Sequence, residues 1–537
     1  MAVVHRIGES VMILALMISL STKDGVDSYN VLLSANFGDG SHYIAMRAIG
    51  ESLVKKGHEV TFLVAEGFPH PSIHNEDFEK FHFERFNLPG LKDKLEDAYA
   101  KLSYLTLSDK GGDEISELME TFQNLNRDAC SVVFKDSALL ERLSTFDVFV
   151  FNIIWPCSVY VKSHLERQKG VRDIPIVAFS NTNINPYVLW EAASPFFPSF
   201  QPSPMSRLTP RMNFFERLRN TLTYLSMIHK FRRTVISEPF GHLIDDYDLD
   251  PYLRIAMNNH VNLYLVHTDF SIDPPFAMTP SVIPVGGLTA RAAKALDNDV
   301  EEFMKSSGDD GVIVFSLGSY FSTITTALPE IPRMFLEAFA KIPQKVIILS
   351  KVGLVKGLPE NVRVIPWLPL NDLLGHSKTR LLVYHGGSSG IFEAVYHGVP
   401  LVVMPLGGDQ SDIAVRVVSK GIGVQLDKDT LTAENIYERV TEVLSQPEYS
   451  ESSKRISAIL RDRPMTAADT SAYWIEHTIK HGVDYLRPSS LDLPFYQLYL
   501  IDVFLFLFAL ISIVCWIFLK ALNAYFQRKS SRKLKRL

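Results

Sequence analysis

Apolar and polar residues in the N-terminal half of the chain follow the pattern of a parallel α/β protein. Tyr29 to Ser34 and Glu59 to Ala65 are short apolar runs that suit buried parallel strands. His42 to Lys56 between them has a helical pattern, which Gly57 is placed to end. The same reasoning predicts further strands at Val148 to Asn152, Ile176 to Phe179 and Val261 to Val266.

A second series of strands and helices begins after Gly286 to Asp299, which we interpret as a linker. Its predicted elements are strand Val312 to Phe315, helix Ile331 to Lys341, strands Lys345 to Leu349 and Val362 to Pro366, and helix Asn371 to Leu374. Two such series predict two Rossmann-like domains that face a cleft, with bounds of 23–285 and 286–490.

The block from Val383 to Gln410, VYHGGSSGIFEAVYHGVPLVVMPLGGDQ, carries the strongest chemical signal. It joins the end of an apolar strand, Leu381 to Tyr384, to a glycine-rich turn that opens a helix, and Ser388 is expected to cap that helix. The first N–H groups of a helix are unpaired and its dipole is positive there, so a diphosphate is the natural occupant.

Three polar residues of the same block are placed to bind sugars. Glu393 lies one turn into the helix, where a carboxylate can accept hydrogen bonds from both ribose hydroxyls. Gly398 is expected to end the helix, and Pro400 to Met404 to form the next strand. Asp409 and Gln410 follow that strand at its carboxyl end, where open α/β sheets bind ligands. The alternative is an ordinary βαβ unit with incidental polar residues.

Composition and the chain ends indicate a secreted or membrane protein. The 537 residues suit two domains, and a net charge of −6 gives no reason to expect a nucleic acid partner. Residues 1–22 are typical of a signal peptide. Val503 to Leu519 is uncharged and long enough for a membrane span, predicted at 498–520, although a buried soluble helix is the alternative. The basic tail, 521–537, is then cytosolic and the body lumenal.

Two further features remain open in the sequence. Cys130 and Cys157 could pair in an oxidising lumen, but spacing alone does not decide it. Phe196 to Pro210 is rich in proline, serine and phenylalanine and favours a long irregular loop, which either covers an apolar acceptor site or is a plain surface connection. Lys533 and Lys535 resemble a dilysine signal for the endoplasmic reticulum.

Many short motifs, in order along nearly the whole chain, resemble those of the UDP-glycosyltransferase family, the membrane enzymes that include the glucuronosyltransferases and ceramide galactosyltransferase. They are the Val383 to Gln410 block, Gly40-Ser41-His42, Gly57-His58-Glu59-Val60, Phe146-Asp147-Val148, Phe315-Ser316-Leu317-Gly318-Ser319, Trp367-Leu368-Pro369 and Asn371 to His376. The resemblance implies the GT-B fold, two Rossmann-like domains facing a cleft, with a C-terminal transmembrane helix.

On the acceptor side, the resemblance and its position after the first strand make His42 the candidate base. The family's carboxylate beside that histidine is replaced here by Asn152. An amide can hold the ring but offers no negative charge, and Asp147 is expected on the opposite face of its strand. Catalysis by His42 alone, a different partner, and loss of activity are the alternatives.

On the donor side, the resemblance implies a UDP-sugar site. Its expected residues are Ser319, Trp367, His385, Ser388, Ser389, Gly390, Glu393, Asp409 and Gln410. Departures from the family pattern are Leu370 for glutamine, Ser389 for asparagine, Tyr384 for threonine or serine, and Ile348-Leu349 for a Trp-Arg pair. We therefore expect the phosphate cradle to be better retained than base recognition.

A rival signal is the acidic stretch Asp246 to Asp250, which contains the Asp-x-Asp pattern of metal-dependent transferases. A solvated acidic loop is the preferred interpretation, because the helix terminus and His385 already supply positive charge to a diphosphate. We expect no metal site and no cofactor other than the UDP-sugar co-substrate.

The sequence as a whole predicts inverting transfer of a hexosyl or glucuronosyl group from a UDP-sugar to a hydroxyl of a small lipophilic acceptor. The membrane anchor fits such acceptors, because they concentrate in the bilayer. The alternative is a weakened family member that binds UDP-sugar or regulates an active partner. Homo- and hetero-oligomers both remain open.

Overall fold

The computed structural model of the chain describes residues 28–38, 40–70, 74–107, 112–169, 173–182, 185–318, 328–350, 357–366 and 370–534. The chain divides into a large compact unit that ends at Leu486 and a second unit, Arg487–Leu537.

A seven-stranded parallel sheet forms the core of the first half of the large unit. Its strands are β1 (Asn30–Ser34), β2 (Glu59–Ala65), β3 (His82–Phe86), β4 (Val148–Asn152), β5 (Ile176–Ser180), β6 (Leu263–Val266) and β7 (Val282–Pro284). They lie in the order β3-β2-β1-β4-β5-β6-β7. The five predicted strands are confirmed, whereas β3 and β7 were not predicted.

A six-stranded parallel sheet forms the core of the second half. Its strands are β8 (Val312–Ser316), β9 (Lys345–Leu349), β10 (Val362–Ile365), β11 (Thr379–Tyr384), β12 (Leu401–Val403) and β13 (Gly423–Gln425). They lie in the order β10-β9-β8-β11-β12-β13, so both sheets have the doubly wound arrangement in which the strand order reverses beside the first strand. The fold class predicted from the sequence is thereby confirmed.

Helices connect successive strands of both sheets. In chain order they are α1 (Gly40–Lys55), α2 (Asp77–Lys80), α3 (Leu91–Leu107), α4 (Gly112–Lys135), α5 (Ser137–Leu143), α6 (Cys157–Lys169), α7 (Pro186–Glu191), α8 (Phe214–Phe231), α9 (Glu238–Asp246), α10 (Asn298–Lys305), α11 (Glu330–Phe339), α12 (Leu370–Leu374), α13 (Ser388–His397), α14 (Gln410–Ser419), α15 (Ala433–Ser445), α16 (Pro447–Arg461), α17 (Ala467–His481), α18 (Phe495–Leu498) and α19 (Ile501–Leu534).

Both sheets bury apolar side chains on both faces, as parallel sheets covered by helices must. One face of the first sheet is covered by α1 and by the distant helix α17, whose Ala472 and Ile475 are fully buried in that core. Lys56 of the first half donates to Glu476 of α17 at 2.6 Å. The predicted boundary near residue 285 separates the strands of the two sheets, whereas the chain returns to the first sheet at α17.

The fold decides the cysteine pairing that the sequence left open and confirms one predicted loop. Cys130 of α4 and Cys157 at the start of α6 form a disulfide, with their Cα atoms 5.6 Å apart. The segment from Phe196 to Pro210 contains no helix or strand, as its composition predicted.

The second unit contains the long helix α19. Its segment Ile501–Lys529 is long and apolar enough to cross a membrane, and its side chains are exposed rather than packed in a core. This helix is where the sequence predicted a span at 498–520. The predicted signal peptide, residues 1–22, lies outside the described residues.

Candidate active site

His42 and Asn152 of the expected acceptor side, and His385 to Gly390 of the expected donor side, lie at the reversal points of the two sheets. In the first sheet that point is between β1 and β4, which pair in register from Val31 with Val148 to Ser34 with Phe151. In the second sheet it is between β8 and β11. Connections leave this point on opposite sides, which opens a crevice at the carboxyl ends of the strands where ligands bind.

His42 and Asn152 meet at the reversal point of the first sheet. His42 lies in the first turn of α1, and Asn152 is the last residue of β4. The Asn152 Nδ2 atom is 2.8 Å from His42 Nδ1, and Asn152 is fully buried while His42 is partly exposed. Partial burial lowers the pKa of His42, which favours the neutral imidazole. Asp147, at the other end of β4, accepts from the Asn30 backbone at 2.8 Å instead.

The orientation of the Asn152 amide is fixed by the backbone. The Ile154 N–H donates to Asn152 Oδ1 at 3.1 Å, the side-chain turn that Asn and Asp form with the residue two places on. Only an oxygen can accept that bond, so the amide group directed at His42 is the NH₂ donor.

His267 connects the two halves of the site and was not predicted from the sequence. It follows the last residue of β6 and is almost fully buried. Its Nδ1 lies 3.0 Å from the Ser388 hydroxyl, and its Nε2 accepts from the Gly287 N–H at 3.2 Å. Because Nε2 is the acceptor, Nδ1 carries the proton and donates to Ser388. The signal that could have identified it is a histidine directly after a predicted strand, at the ligand-binding edge.

His267 is also electrostatically coupled to His42. Burial, the neighbouring His42 and the guanidinium of Arg463 together lower the pKa of His267 to about 3. It therefore stays neutral, and its two ring nitrogens are held by Ser388 at the start of α13 and by the Gly287 N–H.

The contact with His267 corrects the predicted role of Ser388. The residue that precedes α13 is Gly387, and no side chain caps the helix there. Ser388 is the first helical residue, and its hydroxyl oxygen accepts from His267. Ser388 therefore does not cap the helix, while Gly398 ends it in the left-handed conformation with φ of 68°, as predicted.

Glycines pack the site tightly around His385 and Tyr384. A Cβ atom at Gly318 would lie 2.7 Å from His385 Cε1, and one at Gly390 would lie 2.5 Å from Tyr384 Cζ. Gly318 also has φ of +63°, a conformation that favours glycine. Burial lowers the pKa of His385 to about 4, so this ring is neutral. The sequence predicted that His385 supplies positive charge to a diphosphate, whereas a neutral ring can offer only a polar N–H.

Glu393 lies on the buried face of α13 and is 8% exposed. Burial raises its pKa to about 7, and the charges of Arg291 and Asp372 act on it in opposite directions. Arg291 and Asp372 are themselves paired at 2.6 Å. A carboxyl group that is half ionised near neutrality is available to accept the hydroxyls of a sugar.

Asp409 and Gln410, which follow β12, differ in how exposed they are to a ligand. Asp409 precedes α14 and is partly exposed. Gln410 is buried, and its Oε1 accepts from the Leu406 N–H at 2.8 Å, so only its NH₂ group remains for a ligand. Ser389 is partly exposed in the first turn of α13. The expected site residues Ser319 and Trp367 lie outside the described residues.

The acidic stretch after α9 has structural partners. Asp248 pairs with Arg167 at 3.3 Å, and Asp250 contacts His260 at 2.8 Å while accepting from the Tyr252 N–H at 3.0 Å. Among the residues that the structure describes, no group of three or more His, Cys, Asp or Glu side chains is arranged to hold a metal ion.

The loop Phe196 to Pro210 reaches the second half of the molecule. Asp412 of α14 accepts from the backbone N–H groups of Met205 at 2.5 Å and Arg207 at 3.0 Å. Between this loop and α14 lies a cavity of about 270 Å³ lined in part by Phe196, Pro204 and Phe276. The loop is therefore tied to α14 of the second half rather than running free over the surface.

Comparisons with known proteins agree with this geometry. The sequence model of the family described as "UDP-glucoronosyl and UDP-glucosyl transferase" matches residues 30–536. UDP-glucuronosyltransferase 2A1 of Rattus norvegicus is 31% identical over 93% of this chain and 94% of its own length. UDP-glucuronosyltransferase 2B9 of Macaca fascicularis is 32% identical over 89% of this chain and 90% of its own length.

Solved structures support the same fold. Os79 from O. sativa, in complex with U2F and trichothecene, aligns with a TM-score of 0.58 at 17% identity, covering 84% of this chain and all (100%) of that one. The calicheamicin glycosyltransferase CalG4 aligns with a TM-score of 0.56 at 18% identity, covering 85% of this chain and 99% of that one. From its sequence, its two doubly wound sheets and these relatives, the chain belongs to the UDP-glycosyltransferase family and is a glycosyltransferase with a UDP-sugar as donor.

Proposed function

We propose that the protein transfers a hexosyl or glucuronosyl group from a UDP-sugar to a small lipophilic acceptor, with inversion at the anomeric carbon. The observation that carries the proposal is the series Asn152, His42, His267 and Ser388. Asn152 is hydrogen-bonded to His42, the charge of His42 acts on His267, and His267 donates to Ser388. This series joins the acceptor edge of the first sheet to the helix terminus where a diphosphate would bind. In this arrangement the acceptor attacks from one domain while the leaving UDP is held by the other.

The donor side supplies binding and charge stabilisation. The open N–H groups of α13 face the developing negative charge on the leaving diphosphate, and Glu393 accepts the ribose hydroxyls. Gln410 and Asp409 contact the transferred sugar through one amide NH₂ and one carboxylate. Ser319 and Trp367 complete the donor site in this proposal.

His42 is the residue that faces the acceptor oxygen. Function as a general base requires an unprotonated Nε2, and its availability depends on the hydrogen bond that Asn152 makes to Nδ1. The same bond favours the second candidate function, a weakened member that retains UDP-sugar affinity or regulates an active partner.

The remaining proposals concern cofactors and location. The diphosphate is held by the helix terminus without a metal ion. Residues 1–22 direct the chain into the endoplasmic reticulum, α19 anchors it with the catalytic unit in the lumen, and Lys533 with Lys535 retains it there. Its acceptors are drawn from the lipid phase.

The test uses full-length protein in membranes, radiolabelled UDP-glucose, UDP-galactose and UDP-glucuronate, and a panel of phenols, sterols and sphingolipids. Transfer to at least one acceptor that is strongly reduced in His42→Ala supports the proposal. The matched control is His82→Ala, because the His82 side chain is 72% exposed and its nearest carboxylate, Glu59, lies on the protein surface. UDP binding without transfer to any acceptor would favour the regulatory function, and no binding of any uridine compound would overturn both.

A further inference from the structure

The hydrogen bonds of Asn152 determine which nitrogen of His42 carries the proton. Asn152 Oδ1 is occupied by the Ile154 N–H at 3.1 Å, which leaves Nδ2 to donate to His42 Nδ1 at 2.8 Å. A nitrogen that accepts a hydrogen bond has no proton of its own. In neutral His42 the proton is therefore on Nε2, the opposite arrangement from the one a general base needs.

With the His42 ring in this orientation, the other protonation states and the rotated amide each set two donors against each other. Moving the proton to Nδ1, or adding a second proton, places an N–H against the Asn152 NH₂. Rotating the amide by half a turn places that NH₂ against the Ile154 N–H. Leaving a buried donor unsatisfied disfavours these arrangements by about 10- to 100-fold, so the base-competent tautomer is a minor population.

Neither His267 nor Asp147 can take over the role of base. Both ring nitrogens of His267 are engaged, one by Ser388 and the other by Gly287. Asp147 lies at the far end of β4, where it accepts from Asn30. A residue of β4 rises about 3.3 Å, so five residues separate Asp147 from the site by far more than a hydrogen bond.

We propose that this protein uses acceptors whose attacking oxygen is already ionised in solution, namely carboxylic acids and acidic phenols, and that His42 binds this anion by donation from Nε2. The inference rests on the proposed function and narrows its acceptor class. Asn152 acts as a positioning residue, because it works through His42.

The transfer step balances without a proton. A lone pair of the carboxylate or phenolate oxygen forms a bond to the anomeric carbon, while the bond from that carbon to the diphosphate oxygen breaks. The electron pair of the broken bond remains on the diphosphate, so one negative charge passes from the acceptor to UDP. A neutral alcohol would in addition have to lose its proton, which the dominant tautomer of His42 cannot accept.

The first experiment measures kcat/KM of the full-length protein at one pH for benzoate, a series of phenols from para-nitrophenol to para-methoxyphenol, and cyclohexanol. We expect kcat/KM to fall as the pKa of the phenol rises, with little turnover of cyclohexanol. In Asn152→Asp, whose carboxylate accepts from both the Ile154 N–H and His42 Nδ1–H, kcat/KM for the weakly acidic phenols should rise by about 10- to 100-fold. The rate with para-nitrophenol should not rise, because its phenolate needs no base and loses the Nε2–H donor in this variant.

The second experiment is His42→Gln, which can present a side-chain NH₂ but no base. In the wild-type background it should lower the rate with benzoate and para-nitrophenol far less than His42→Ala does, because the Gln side-chain NH₂ can still donate to the anion. In the Asn152→Asp background it should remove the gain with weakly acidic phenols. If His42 is already a base, His42→Gln would abolish transfer to all acceptors and Asn152→Asp would change little. Either result overturns the inference.

A measurement independent of activity reads the tautomer directly. Nitrogen NMR of the histidine-labelled full-length protein, with His42 assigned from its absence in His42→Gln, should report a protonated Nε2 in the wild type and a protonated Nδ1 in Asn152→Asp. A protonated Nδ1 in the wild type overturns the inference even if transfer is observed. Failure of the proposed function itself is distinct, because no variant would then transfer sugar from any donor.

Discussion

The ionisation of Glu393 predicts how donor binding depends on pH. Burial raises its pKa to about 7, and only the ionised carboxylate can accept hydrogen bonds from both ribose hydroxyls. Donor binding should therefore draw Glu393 towards its charged form and release protons. The affinity for the UDP-sugar should therefore be highest above about pH 7 and should weaken as the pH falls through that value.

The magnitude follows from the fraction of Glu393 that is ionised. At pH about 6, one unit below the pKa, about one tenth of the sites are ionised, so the apparent Kd for a UDP-sugar should be about tenfold higher than at pH about 8.5. The groups around Glu393 are Thr289, the Arg291–Asp372 pair and Tyr384. Burial raises the pKa of Tyr384, so this phenol stays neutral throughout the range.

Calorimetry on the full-length protein in detergent, with a UDP-sugar rather than UDP, measures this dependence. The diphosphate of a UDP-sugar stays fully ionised across the range, and the pKa values of His385 at about 4 and His267 at about 3 keep those rings neutral. Glu393→Gln should bind more weakly at high pH and show no pH dependence. A wild-type affinity that is unchanged down to pH about 6 would refute the assignment of Glu393 to the ribose.

Four further outcomes are expected. His267→Ala should lower the free energy of unfolding by about 1–3 kcal/mol and weaken UDP binding, because it leaves the buried Gly287 N–H without its acceptor; thermal unfolding and calorimetry check this, with exposed His82→Ala as control. Gly390→Ala should lower the free energy of unfolding by about 1–3 kcal/mol, because its Cβ would lie 2.5 Å from Tyr384 Cζ. Adding Tyr384→Val, which removes the aromatic ring, should recover part of this loss. Transfer activity should persist in a chelator, because Asp248 and Asp250 already have Arg167 and His260 as partners; activity abolished by chelator and restored by manganese would contradict this. Replacing Lys533 and Lys535 with serine should move the protein beyond the endoplasmic reticulum in microscopy, and unchanged location would remove the dilysine assignment.

Hydrophobic periodicity was sufficient for most of the sheet framework. The strands that it predicted are apolar runs buried on both faces, such as β4 and β8, in which four of five residues are apolar because helices cover both sides. It missed β3, whose His82, Glu84 and Arg85 make it polar. This strand lies at the edge of the sheet, so its composition is not constrained on both faces.

In the candidate site, too, local features could be predicted from the sequence and long-range contacts could not. The glycine-rich turn and its helix are local in sequence, so their geometry and the end of α13 at Gly398 could be predicted. The hydroxyl of Ser388 was assigned to capping because that is the usual local partner of such a residue. Its actual partner, His267, is 121 residues away and is brought to it only when the two sheets face each other.

The residue types at the acceptor edge were determined by the sequence alone: a histidine after the first strand and an amide at the end of the fourth. Their chemistry was decided by tertiary structure. Asn and Asp differ by one donor group, and which atom of Asn152 meets His42 depends on the backbone N–H of Ile154. Hydrogen-bond direction is a property of several groups in contact, and parallel strands β1 and β4 make that contact across more than a hundred residues of chain.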